Sequence, residues 1–370
     1  MITCLGDLDA THQALLEGRS GVAPLRLGDP DKLGVAHGYQ IADGPGTDGS
    51  GPRLAAGWLA DCVSEALRAA RVDPARRRVA VVVGTGLREL RGVEQWHGDG
   101  AQLRLHQLHF TAAVRAVVPE VTEVHTIANA CAASGYALAL GADILELGEA
   151  DVVVAAGCDT MTESMLTVIG KVTDGTSDMV RPFDAERPGV LLGEGAAAVV
   201  LERPEDVTDG RPALGTLRGV GLTCDAYHET APDRAGIIDA MHQAHERAGV
   251  KPEDIGLVVA HGTSTGLNDP TETAALLDVF GGEGPPVTAI KGAIGHTSGG
   301  AALMSVLIAL ASMRTGTVPA VVGLRSPMAE AAELGLVHGA PLTAGPRLAQ
   351  INAFGFGGVN AVTIVEASDV

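Results

Sequence analysis

Four short stretches carry residues suited to nucleophilic, acid–base or oxyanion-binding chemistry. The first is 128–135, where Cys131 stands among small residues (Ala128, Asn129, Ala130, Ala132, Ala133, Ser134, Gly135) at the entry to an apolar helix. Unpaired N–H groups at a helix start favour a thiolate and lower a thiol pKa. The same stretch also fits a buried structural cysteine. The second is His261-Gly262-Thr263-Ser264-Thr265, directly after the apolar run 255–260. Polar residues at a strand's carboxyl end occupy the usual ligand position of open α/β sheets, and a hydrated turn capping the next helix is the plainer alternative. The third is 291–296, with Lys291 and His296 five residues apart. Lys291 is one of only four lysines, with Lys32, Lys171 and Lys251, in a chain that otherwise uses Arg. A surface loop with an incidental histidine reads the same way. The fourth is 352–360, where Phe354 and Phe356 alternate with Gly355, Gly357 and Gly358. Glycines there allow a backbone path that presents N–H groups to an oxyanion, and a tight hairpin plugged by Phe is the alternative.

Elements able to position these groups follow from periodicity. Continuous Val/Ala-rich runs at 78–84, 151–157, 196–201, 255–260 and 361–365 predict strands covered on both faces. Helical spacing covers 54–70, 132–147, 235–248, 271–280 and 299–314, the last apolar nearly all round and therefore buried. Residues 37–52, rich in Gly, Asp and Pro, read as a loop. The run 78–86 resembles 254–264, and each half supplies a strand, a Gly-rich turn and a buried helix. This predicts a duplicated α/β fold with halves 1–205 and 206–370, joined by the polar connector 203–212.

Composition narrows the function. The 370 residues are 46% hydrophobic and 19% charged, which is globular and not disordered. A net charge of −19 argues against nucleic acid or an anionic membrane surface as partner. The longest apolar run, 301–313, is short for a bilayer span. Five scattered cysteines (Cys4, Cys62, Cys131, Cys158, Cys224) with no CxxC spacing and no visible signal peptide predict a reducing cytoplasm and no metal site.

Taken together, the four motifs in their order and spacing resemble the β-ketoacyl synthases of the thiolase superfamily. Two further stretches agree. Arg181-Pro182-Phe183-Asp184 with Gly193-Glu194-Gly195-Ala196 is similar to the family's RPFD…GEGA, and Asp225-Ala226-Tyr227-His228 with Thr230, Ala231 and Pro232 is similar to the DAYHxTxP of the synthase II branch. The resemblance implies a duplicated five-layer αβαβα sandwich, normally dimeric. It implies that Cys131 takes an acyl group from an acyl carrier protein and that His261 and His296 stabilise the enolate formed when a malonyl thioester loses carbon dioxide. Backbone N–H groups of Cys131 and Phe356 would hold the oxyanion, and Phe356 would also gate the acyl pocket. Lys291 and Glu272 match a supporting charged pair. Thr263 and Thr265 match contacts to the pantetheine arm, and Thr230, His228 and Phe354 fall in the substrate-binding region. No cofactor is implied beyond the phosphopantetheine that the carrier protein brings. On this reading His296 serves the malonyl step, so that its removal spares acylation of Cys131.

Several departures from the family pattern bear on this. The first strand is missing or shortened to 1–6, and Val359 replaces the usual Thr of GFGGTN. Basic residues for docking an acidic carrier protein reduce to Arg53, Arg68 and Arg71, so either that patch or a partner subunit supplies the charge. The partner is a second copy or a chain-length-factor-like subunit. The resemblance implies decarboxylative chain elongation, in polyketide or other specialised synthesis. The alternatives are an acyltransferase, cyclase or thioester hydrolase on the same fold, or a non-catalytic chain-length subunit, which the presence of Cys131, His261 and His296 disfavours.

Overall fold

A computed structural model describes residues 1–42, 54–100, 102–172, 177–207, 211 and 213–368. Each half of the chain builds one five-stranded sheet. The first has the spatial order Ile2–Thr3, Gly195–Leu201, Val152–Asp159, Val79–Gly84, Glu123–Ile127. The second has the order Val287–Thr288, Leu257–Val259, Leu348–Gly355, Val359–Ala367, Gly215–Cys224. In the first sheet Val79–Gly84 pairs in parallel with both neighbours, whereas Gly195–Leu201 runs antiparallel to its own. The N-terminal strand is indeed short, two residues paired with Gly195 and Ala196.

Side-chain alternation explains the layers. Val79, Val81 and Val83 pack with Val152 and Val154 against helix Leu54–Ala69. Ala80, Val82 and Val153, one residue out of phase, face helix Ala133–Glu146 instead. That is why these runs are apolar without interruption. Helix Ala133–Glu146 and helix Ala301–Thr315 fill the space between the two sheets, and helices Arg234–Ala248 and Asn268–Phe280 cover the far face of the second. The result is five layers, αβαβα, of the thiolase type.

The stretch Ser298–Thr315 is longer than the apolar run 301–313, enough by length and composition to cross a bilayer, but 83% of it is buried inside the protein. Burial between two sheets, not shortness, accounts for its apolarity. The segment read as a loop from residue 37 begins with a two-residue strand, His37–Gly38, paired to Ala23–Pro24. Its remainder from 43, and Arg53, lie outside the described residues.

Arg68 and Arg71 sit at or just beyond the C-terminal end of helix Leu54–Ala69, before strand Val79–Gly84 begins. Cys131 lies beyond the other end of that strand, about 20 Å away at ~3.3 Å per residue. The helix runs back along the sheet, so this patch faces away from the sulfur. Arg68 is also paired with Glu65. These two residues are not at the mouth of the site.

Candidate active site

Loops at the strand ends of both halves converge on Cys131. The sulfur-bearing residue sits in a single 3-10 turn, Ala130–Ala132, just ahead of helix Ala133–Glu146. Ala130 takes φ +47°, a left-handed conformation that costs a non-glycine residue ~1–3 kcal/mol. Phe183, Ser264 and Ser298 also have positive φ, at +61°, +68° and +47°. Ala130 and Ser298 open two 3-10 turns that pack together, and Phe183 and Ser264 are joined through Asp269; strain of this kind gathers at functional sites. Close backbone packing locks the turn: a methyl added to Gly84 would stand 2.4 Å from the Ala133 carbonyl carbon.

His296 Nε2 lies 3.0 Å from Cys131 Sγ. The backbone around this histidine is fixed by His296 N–H donating to Leu191 O at 2.9 Å and Gly193 N–H donating to His296 O at 2.9 Å. The His261 ring stands edge-on to it, centroids 5.4 Å apart at 85°. Phe354 packs on the other side of His261 at 5.6 Å and 58°. Phe354 is buried and Phe356 is 40% exposed. The two phenylalanines therefore differ: Phe354 supports His261, while the Phe356 ring faces outward and its backbone N–H leans on the Cys131 sulfur.

Burial pushes the Cys131 thiol up to about 11, against the charge of Lys291 and the N–H groups of Phe356 and Cys131 itself, which pull it down. The expected lowering at a helix start does not prevail. One short turn and one buried cation offset less than the loss of water costs a thiolate. His296 is driven well below its ordinary 6.5, first by burial and then by Lys291. At neutral pH the pair is a thiol facing a neutral imidazole. Among the described residues nothing hydrogen-bonds His296 Nδ1, so whatever faces Nε2 sets the tautomer.

His261 is held differently. Lys291 Nζ approaches His261 Nδ1 at 3.3 Å and also donates to the His261 backbone carbonyl. A lysine ammonium can only donate, so Nδ1 accepts and Nε2 carries the proton. Burial, Lys291 and His296 together hold His261 far below its usual range. Glu272 takes the His261 N–H at 2.7 Å and the Gly262 N–H at 2.8 Å. Glu272 and Lys291 were expected as a charged pair. Among the described residues no ion pair joins them; they grip His261 from opposite sides, Glu272 by its backbone and Lys291 by its ring. Burial lowers Lys291 to about 8 and raises Glu272, and each charge favours the other.

The other expected positions separate into two groups. Thr263 and Thr265 come together, hydroxyls 3.0 Å apart, with Thr263 buried. Asp269 fixes this loop by accepting from the Thr263 and Ser264 N–H groups and from Phe183 N–H of the 181–184 stretch. His228 and Thr230 are exposed, and among the described residues no side-chain hydrogen bond joins either to the residues above. His228 Nδ1 accepts the Thr230 and Ala231 N–H groups, folding its own loop, and that loop meets the 354–358 turn where Gly357 N–H donates to Glu229 O at 2.9 Å. Val359 packs its side chain over Gly355.

Asp269 was not anticipated, and neither was Asp159. Asp159 ends the eight-residue buried strand Val152–Asp159 beneath the sulfur. It accepts from the Thr85 hydroxyl at 2.7 Å and from the N–H groups of Gly86, Leu87 and Gly299 at 2.7, 2.9 and 2.6 Å. It thereby ties the loop after His296 to the first sheet. Burial raises its carboxyl to about 6. A lone acid closing an apolar strand was the available signal.

Two sequence profiles span most of the chain: the β-ketoacyl synthase N-terminal domain over residues 6–207 and the C-terminal domain over residues 214–325. This chain belongs to the β-ketoacyl synthase family. Nodulation protein E of Rhizobium meliloti is 35% identical over 246 residues, 65% of this chain and 60% of that protein, so the match spans well under two thirds of that relative. The chloroplastic 3-oxoacyl-[acyl-carrier-protein] synthase I of Arabidopsis thaliana is 28% identical over 98% of this chain and 83% of its own length. A solved structure, the ishigamide ketosynthase/chain length factor, superposes with TM-score 0.85 at 27% identity, covering 100% of this chain and 97% of that one.

Proposed function

We propose that this β-ketoacyl synthase condenses an acyl chain held on Cys131 with a malonyl group presented by acyl carrier protein. The observation that carries the reading is the triad of groups around one sulfur: His296 at 3.0 Å, His261 beside it with Nε2–H free to donate, and the Phe356 N–H. In the first step the Cys131 thiol attacks the acyl thioester. His296 Nε2 takes the thiol proton and returns it to the departing carrier thiol. The thiol's high pKa makes this general base necessary, because a free thiolate is rare at neutral pH. The oxyanion lies between the Cys131 and Phe356 N–H groups.

In the second step the malonyl carboxylate leaves as carbon dioxide and its bonding electrons pass to the thioester oxygen. His261 Nε2–H and His296 donate to that oxygen as charge builds. The enolate carbon attacks the acyl-Cys carbonyl, the C–S bond breaks, and the departing Cys131 thiolate takes up one proton from solvent. Thr263 and Thr265 offer paired hydroxyls to the amides of a phosphopantetheine arm, and the exposed 226–232 loop borders its entry. This requires His296 in both half-reactions, and not only in the malonyl one.

The name of the Arabidopsis relative supports a carrier-protein substrate, and the ketosynthase/chain length factor structure supports a dimer with a second copy or a related subunit. Strand Glu123–Ile127 ends the first sheet with one edge unpaired among the described residues, as an interface strand would. We place the reaction in polyketide or other specialised acyl synthesis on the Val359 departure and the Arg-over-Lys and Ala/Gly bias of the chain. The test is intact-protein mass after incubation with acyl-carrier protein. Wild type gains the acyl mass and Cys131→Ala does not; an equal gain in both would sink the assignment of the nucleophile.

A further inference from the structure

A line of polar side chains crosses the apolar layer behind His261. His245, on helix Arg234–Ala248, places Nε2 2.7 Å from Gln350 Oε1. Gln350 Nε2 donates to Asn352 Oδ1 at 2.9 Å, and Asn352 Nδ2 donates to Glu272 Oε1 at 3.0 Å. Glu272 then receives the His261 N–H. All four side chains are at least 95% buried, within the cluster that includes Ile237, Met241, Val258 and Leu276. Gln350 and Asn352 are two apart on strand Leu348–Gly355 and so share the face that carries Phe354 against His261.

The direction of every link follows from the carboxylate at the end. Ionised Glu272 only accepts, so Asn352 must turn its NH2 toward it. The Asn352 oxygen then needs a donor, which the Gln350 amide supplies. The Gln350 oxygen needs one in turn, which only a protonated His245 Nε2 supplies. His245 is thereby fixed as the Nε2–H tautomer, leaving Nδ1 buried without a partner. Apolar residues at 245, 350 and 352 together would fill this layer without leaving a bare acceptor in it. The arrangement costs stability where packing alone would not require it, and it ends on the carboxylate that holds His261.

We propose that His245 and Gln350 are positioning residues for the malonyl half-reaction: they orient the Asn352 amide so that Glu272 stays ionised and keeps His261 and Lys291 in place. The inference rests on the roles given above to His261 and Lys291. Glu272 faces Lys291, which favours its charge, and Asp269, which opposes it. His245 faces His242 and the edge of Phe280. Loss of the relay weakens support for the Glu272 carboxylate, so the acid limb of decarboxylation moves to higher pH.

The test uses the full chain with Gln350→Met, His245→Leu and His245→Gln. Acyl mass on Cys131, carbon dioxide release from malonyl-carrier protein across pH, and thermal melting are read in parallel. The two apolar variants are expected to acylate like wild type, to lose about tenfold in kcat for carbon dioxide release near pH ~6 with KM unchanged, and to show the shifted acid limb. His245→Gln keeps a donor for Gln350 Oε1 and is expected to restore the wild-type profile. Apolar variants with an unshifted limb and full release would overturn the proposal. So would acylation and release falling together with the melt, which assigns the residues to packing alone. If Gln350→Met fails to fold, the His245 pair decides. Wild type that acylates yet releases no carbon dioxide would instead defeat the underlying reading, a result visible before any substitution is made.

Discussion

Lys291→Met offers a sharp test of how His261 works. The ammonium lies 3.3 Å from His261 Nδ1 and also binds its carbonyl. A buried hydrogen bond to a charged group contributes about 1.5–3 kcal/mol. At about 1.4 kcal/mol per decade, losing that preference for the Nε2–H tautomer slows decarboxylation roughly tenfold to a hundredfold. Loss of the charge also leaves buried Glu272 without its cation and pushes the carboxyl further up. The acid limb of the surviving activity therefore moves to higher pH. Acylation behaves differently, because the thiol near 11 already passes its proton to His296 instead of populating a thiolate. It is expected to change by less than about threefold. Carbon dioxide release from malonyl-carrier protein and acyl mass on Cys131 separate the two steps. Equal losses in both, or undiminished release, would refute the assignment of Lys291 as the group that sets the His261 tautomer.

His296→Ala is expected to slow acylation of Cys131 as well as decarboxylation, by about a hundredfold or more in each, measured by single-turnover mass spectrometry; fast acylation would remove it from the first step. Alkylation of Cys131 by iodoacetamide, followed by peptide mapping so that exposed Cys224 does not interfere, should rise about tenfold per pH unit from 7 towards 10, since the thiol titrates near 11. A plateau below pH ~8 would contradict the burial argument. Asp159 gives a stability test. Its folded-state pKa of about 6 lies above the ordinary 3.8, so its stabilising share is full below ~3.8 and is lost as pH rises through ~6, on the order of 3 kcal/mol. Asp159→Asn should melt lower throughout, because one amide oxygen cannot serve four donors, and should lose that part of the pH slope; a melt unchanged at pH 5 and 7 would count against the network.

Much of this architecture is legible in the chain because buried strands have no polar face to show. Runs 79–84, 152–158 and 195–201 are apolar on successive residues and were found within a few residues of their ends. Strands Glu123–Ile127 and Gly215–Cys224 were not, since each ends a sheet and mixes polar or glycine residues with apolar ones. Leu348–Gly355 was masked by the Gly-rich turn that follows it. Cys131, His261 and His296 stood out by spacing from small residues and glycines. Asp159, Gln350 and His245 did not, because their meaning lies in distant partners on another layer: Asp159 with Gly299, 140 positions away, and Gln350 with His245, 105 positions away. The sign of the Cys131 shift was also out of reach, since the local helix start is visible in sequence and the depth of burial is not.

The central claim is that a thioester on Cys131 is used to form a carbon–carbon bond. It is tested most directly by loading wild-type protein with an acyl group, adding malonyl-carrier protein, and weighing the carrier-bound product. The account predicts a β-ketoacyl product two carbons longer than the loaded chain, one carbon dioxide per turnover, and neither from His261→Ala. An acyl-Cys131 that persists in the presence of malonyl-carrier protein, or that is released as free acid, would contradict it.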